Sequence, residues 1–219
     1  ISVLRLIAMT VSQVNTKSRL HPIGEPENLL QTRAIGVLWG VFSSVDDLIL
    51  MGDFRGKSLR IRSEVFILIK EMIKRGENSA LFVVWPRTKN GFLTSLELNG
   101  VWKPSIFHPD SGAQDDLLEG DNYFSIRGEV CRPVWWDKQG RSSVAVKVCG
   151  EHFVTVDFDP TLVRLYKGDF VSLDVILTED RRLFAERVEK ISIPEVAVAR
   201  PSQSIRPGRK VRRRSSAVN

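Results

Sequence analysis

Short β-forming runs closed off by turn residues recur from residue 33 to residue 191, and only one well-marked amphipathic helix interrupts them. That punctuation favours small strand-rich barrels or sandwiches, because each run is long enough for one strand and too short for an ordinary helix. Residues 34–42 are β-forming and marked by Gly36 and Gly40. Residues 57–62 alternate polar with apolar, as a half-buried strand does. Residues 80–85 and 92–98 read as two further strands. A turn at residues 86–91 joins them, with Asn90-Gly91 supplying the positive φ that a tight connection needs.

The helix is predicted over residues 63–75. Ser63 is placed as its N-cap, Glu64 lies in the first turn, Lys74 and Arg75 in the last, and Gly76 at the stop. Val65, Phe66, Leu68, Ile69, Met72 and Ile73 make one wide apolar stripe of the kind that plugs a sheet. The second half repeats the grammar. Residues 124–130 form a strand that ends in Trp135-Trp136, and residues 143–149 and 153–158 pair through a turn at Gly150. Asp159 and Pro160 open one helical turn, and residues 168–177 and 183–191 make the last hairpin.

Each half therefore orders as three strands, a helix or helical turn, and two strands. This order resembles the oligonucleotide/oligosaccharide-binding (OB) fold, a five-stranded partly open barrel. Arg75-Gly76 and Lys167-Gly168 each stand before an apolar strand, a loop and a strand, which points to an internal duplication. The expected fold is mainly β, with two OB-like barrels in tandem. An arm covers residues 1–32, the first barrel 33–107, a linker 108–122, the second barrel 123–195, and a disordered basic tail 196–219. The resemblance implies that ligands cross the face of the second and third strands, between the loop joining strands one and two and the loop joining strands four and five.

The net charge of +6 is concentrated at one end. Residues 200–219 carry seven cations and no acid, so the remainder of the chain stands at −1. Proline, glycine and serine dominate that tail, which lacks the apolar surface to fold. Its Arg209, Lys210, Arg212, Arg213 and Arg214 are suited to a polyanion through counterion release. The body divides unevenly: residues 1–110 sum to +4 and residues 111–199 to −5.

Within the body, Lys57, Arg60 and Arg62 form a phosphate track near Phe54. Arg87 and Lys89 fall in the loop between strands four and five of the first barrel, and Arg181 and Arg182 in the matching loop of the second. Loop tips also carry charge merely to stay solvated. Base stacking needs an exposed ring beside such cations. Neighbouring strand residues point to opposite faces, so one of Trp135 and Trp136 is accessible, and Trp136 is the ring assigned to binding. Trp39, Phe66, Phe82, Trp85 and Phe170 are assigned to the core.

Neither catalysis nor a cofactor or metal is expected. No Gly-rich phosphate loop, HExxH or GxSxG is present, Cys131 and Cys149 have no CxxC spacing, and His21, His108 and His152 are dispersed. No run approaches the roughly 18 apolar residues of a membrane helix. A cytoplasmic location and no membrane partner are expected, with nuclear import open through residues 209–214. The reading is a non-catalytic protein for RNA or single-stranded DNA. Two alternatives stand beside it: an adaptor docking on a larger nucleoprotein complex such as a ribosome or polymerase, and a hydrolase of RNA or nucleotides.

Overall fold

A computed structural model describes residues 21–192, apart from 118–119, 133–134 and 137–139. The expectations for the first 20 residues and for Arg209, Lys210, Arg212, Arg213 and Arg214 lie outside these residues. The first barrel comprises β1 (Arg33–Val41), β2 (Ile49–Leu50), β3 (Phe54–Arg55), β4 (Leu59–Ile61), α1 (Ser63–Lys74), β5 (Ser79–Lys89) and β6 (Phe92–Trp102). β1 pairs antiparallel with β2 and β5, β2 with β3, and β5 with β6, while β4 lies parallel to β6.

The second and third strands of this barrel are short because the backbone turns repeatedly. Gly52, Asp53 and Gly56 all have positive φ. The strand expected from residue 57 begins only at Leu59, and Lys57 sits in a 3₁₀ turn. The Ser58 hydroxyl accepts from the Arg55 N–H at 3.0 Å and donates to the Arg55 carbonyl at 2.8 Å, drawing that backbone out of the ladder.

Helix α1 starts at Ser63 with Arg62 at the N-cap, one residue before the expected cap. It stops at Gly76, whose φ of 80° lets the Glu77 N–H reach the Met72 carbonyl and its own N–H the Ile73 carbonyl, both at 3.0 Å. Its buried seam is Val65, Ile69 and Met72, narrower than the expected stripe. Phe66, expected in the core, is 37% exposed and carries Lys70 Nζ over its ring at 4.4 Å.

Asn90 and Gly91, both at positive φ, close a two-residue turn between register partners Lys89 and Phe92. Strand β5 therefore runs through the segment expected to be a loop. Pro86 is tolerated there because the β1 register on that edge ends at Gly36↔Val84. Trp102 is buried, with its indole N–H on the Gln114 carbonyl at 3.1 Å.

The second barrel comprises β7 (Asn122–Val130), β8 (Trp135–Trp136), β9 (Ser142–Cys149), β10 (His152–Phe158), β11 (Phe170–Leu177) and β12 (Leu183–Ile191). β7 pairs with β9, β9 with β10, β10 in parallel with β12, β12 with β11, and β11 with β7, so the ring closes. This is the five-stranded barrel of the OB fold, and the first barrel follows the same order with its second and third strands cut short. Closure depends on Gly128, where a Cβ would stand 2.0 Å from the Lys147 carbonyl oxygen. Trp135-Trp136 does not end the first strand; it forms β8, a separate arm paired to β9. Between β10 and β11 the chain makes an isolated turn, with the Leu162 N–H on the Asp159 carbonyl.

The barrels share one sheet. β1 and β7 pair antiparallel from Arg33↔Arg127 to Leu38↔Asn122. The sequence spacing that carries Gly76 to Gly168 carries Ala34 to Ile126, which are register partners, so the duplicated units meet about a local two-fold axis at that pair. Gly36 lies opposite Phe124, and a Cβ there would come within 2.2 Å of the ring; its absence lets Phe124 enter a core continuous across both barrels.

Candidate nucleic-acid interface

Alternation along β4, β5 and β6 places cations and one aromatic ring on the outside of the first barrel. Leu59 and Ile61 pack toward the core, so Arg60 and Arg62 leave the opposite face. Leu96 and Leu98 are fully buried, which turns Glu97 and Asn99 outward. Ala80, Phe82 and Val84 face inward, and Trp85 and Arg87 share the outer side with their register neighbours.

The Arg62 guanidinium stands 6.0 Å from the centre of the Trp85 ring and donates to Asn99 Oδ1 at 2.5 Å. Arg87 Nη2 donates to Glu97 Oε2 at 3.3 Å. Arg60, register partner of Glu97, is exposed. Arg62 thus stands over the tryptophan face, and Arg60 and Arg87 share the outer side of the sheet with it, with the Glu97 carboxylate between them. Such a patch attracts phosphates and offers a stacking surface with a cation already seated on it.

The remaining sequence candidates fall elsewhere. Lys57 and Lys89 are exposed at the two margins, in the 3₁₀ turn before β4 and at the end of β5. Arg87 belongs to a strand rather than a loop. Trp135 is half-buried, and the side chain of Trp136 lies outside the described residues. Trp85, assigned by sequence to the core, is half-buried on the outer face beneath Arg62. The inward alternation of Ala80, Phe82 and Val84 was the signal that could have placed it outside.

In the second barrel the loop between β11 and β12 is occupied internally. Arg182 is 5% exposed. Its Nε and Nη2 bind both oxygens of Asp157, and Nη2 also donates to the Ser143 hydroxyl at 3.4 Å. Arg181 lies 4.7 Å from the centre of the Phe54 ring and donates to the Asp53 carbonyl at 3.1 Å. The tip of the β5–β6 hairpin answers from the other side: Phe92 lies under Arg182 at 4.9 Å, Thr88 Oγ1 accepts from the Thr155 N–H at 2.8 Å, and the Leu93 N–H donates to the Arg181 carbonyl at 2.7 Å. The face of β9 and β10 that the OB resemblance marks for ligands is therefore covered in part by the first barrel. The structure turns Arg182 into a link between barrels, which takes it out of the phosphate-contacting set.

A cleft of about 370 Å³ opens at the end of the second barrel, among Arg141, Ser142, Phe158, Asp159, Asp180 and Phe184. Arg141 Nη1 meets Asp180 Oδ2 at 2.6 Å. Hydrogen bonds from Arg141 and Thr178 hold the Asp180 carboxyl below the usual carboxylate range. The three carboxylates of Asp157, Asp159 and Asp180 outnumber the two arginines, Arg141 and Arg182, so the cleft lacks the excess positive charge that a phosphate chain favours. Among the described residues, no cluster of histidine, cysteine and carboxylate side chains gathers to hold a metal ion.

No family model and no curated protein matches the chain. Among solved structures, the chain is similar to the single-stranded DNA binding protein from Thermus aquaticus. The match has a TM-score of 0.42 and 17% identity, and covers 74% of this chain and 95% of that one.

Proposed function

We propose that this chain binds single-stranded nucleic acid, RNA or DNA, without chemical turnover, across the outer face of the first barrel around Trp85. The observation that carries the reading is the Arg62 guanidinium over the half-buried Trp85 ring, on the outer side of the sheet that also carries Arg60 and Arg87. An unpaired base stacks on such a ring, whereas bases in a duplex are already stacked on one another. The tail arginines Arg209, Arg212, Arg213 and Arg214, with Lys210, add contacts that are independent of sequence. Catalysis does not enter: of the three acids in the cleft, Asp157 and Asp180 are each tied to an arginine, and Asp159 Oδ1 accepts from the Thr161 N–H at 2.8 Å and hydroxyl at 2.7 Å.

Titrating a fluorescent single-stranded oligonucleotide into full-length protein tests this. Trp85→Ala is expected to weaken binding by about 1–3 kcal/mol, the stacking contribution of one base. Wild-type affinity in both Trp85→Ala and Arg62→Gln would remove the interface from the account.

A further inference from the structure

We propose that the seam between the two barrels contains a phosphate-binding site built by Arg33 and Arg127. The two residues are register partners across β1 and β7, so their side chains leave the same face of the shared sheet side by side. Arg127 is 7% exposed and Arg33 is half-buried.

Every hydrogen-bond partner of the pair is neutral. Arg127 donates from Nε to the Gln31 carbonyl at 3.4 Å, from Nη1 to the Ser172 hydroxyl at 3.1 Å, and from Nη2 to the Leu29 carbonyl at 2.8 Å. Arg33 donates from Nε to the Ser125 hydroxyl at 3.0 Å and from Nη1 to the Gly24 carbonyl at 2.5 Å. Its Nη2 is left over. Two acids act on Arg33 without hydrogen-bonding it, Glu25 and Asp174, and Asp174 is turned to other groups: Oδ1 accepts from the Tyr123 hydroxyl at 2.8 Å, and Oδ2 stands 4.0 Å from Arg187. Burial and the neighbouring Arg127 charge draw Arg33 below its ordinary pKa.

Two like charges directly opposite, partly removed from water and hydrogen-bonded to no carboxylate, oppose folding. A phosphate between them reverses that sign. The planar guanidinium fork matches phosphate oxygens, and both side chains retain unused N–H groups. The Ser125 and Ser172 hydroxyls supply further donors at the same place. The carbonyls of Gly24, Leu29 and Gln31 fill part of the fork, but phosphate competes with charge-assisted bonds about twice as strong as neutral ones. The occupant is a free phosphate or a phosphate of a bound strand; only the second form rests on the nucleic-acid reading above.

Thermal melting of the full chain in millimolar inorganic phosphate, against chloride at equal ionic strength, reads the site directly. The wild type is expected to gain on the order of 5 °C near saturation, and Arg33→Gln to gain nothing. A salt titration of oligonucleotide binding separates the two sources. A slope reduced by about one in Arg33→Gln assigns the site to strand phosphates; an unchanged slope with the melting shift lost assigns it to free phosphate. An unshifted wild-type melting temperature together with an unchanged slope overturns the proposal, while oligonucleotide binding in that case leaves the Trp85 interface standing. Because the wild-type measurement needs no variant, misfolding of a substituted protein does not protect the proposal.

Discussion

Arg182 and Asp157 form a bidentate ion pair on the outside of the second barrel, with both side chains nearly buried beneath the hairpin tip of the first. Ser143 completes it, donating to Asp157 Oδ1 at 2.6 Å. Breaking such a pair from one side leaves an uncompensated buried charge. Asp157→Ala is therefore expected to lower unfolding stability by about 3–5 kcal/mol, whereas Asp157→Leu with Arg182→Met recovers most of the loss. Urea unfolding of the three proteins checks both halves of the statement.

At the seam, Gly36 is required because the Phe124 ring occupies the space of a side chain. Gly36→Ala forces the ring or the β1–β7 register to move and is expected to cost about 1–3 kcal/mol. Adding Phe124→Leu to Gly36→Ala should recover part of this, since it removes the obstructing ring atoms. Chemical denaturation of the single and double variants measures the coupling.

The outer stripe makes a different kind of prediction, in which binding changes and stability does not. Arg60→Gln, Arg62→Gln and Arg87→Gln each remove one phosphate contact and should lower the salt slope of oligonucleotide binding by about one. Exposed Arg60 should leave the unfolding free energy within about 0.5 kcal/mol of wild type. A large stability loss in Arg60→Gln with an unchanged slope would show a structural role.

Tyr123 connects the seam to alkaline pH. Burial, then the hydrogen bond and charge of Asp174, push its phenol up from 10.0 to about 12. The folded chain keeps this proton to higher pH than the unfolded chain, so the contribution is fully present below about pH 10 and is lost as pH rises through about 12. Tyr123→Phe should flatten that stretch of the stability curve and remove the late phase of the ultraviolet tyrosine titration.

How far the sequence carried the fold can be seen at Asn90-Gly91 and Gly76. Both are backbone requirements that only a few residues satisfy, and both turned up where sequence placed them. The duplicated spacing from Gly76 to Gly168 likewise anticipated two barrels of one design. What sequence could not supply was the contact between them. Arg182 looks like any charged loop residue until the first barrel's hairpin covers it, and Trp85 looks like a core residue until the parity of β5 is fixed by its neighbours. Lys57 failed for a local reason: the Ser58 hydroxyl and the positive φ of Gly56 outweighed an alternating pattern.

The central claim is that the folded barrels bind a strand by themselves, although residues 200–219 carry more positive charge than the whole chain's net. The most direct test is a salt titration of single-stranded oligonucleotide binding by protein ending at residue 199, beside the full chain. The shortened protein is expected still to bind, with a smaller slope, and Trp85→Ala to weaken this remaining binding. Complete loss of binding on removal of the tail would contradict it.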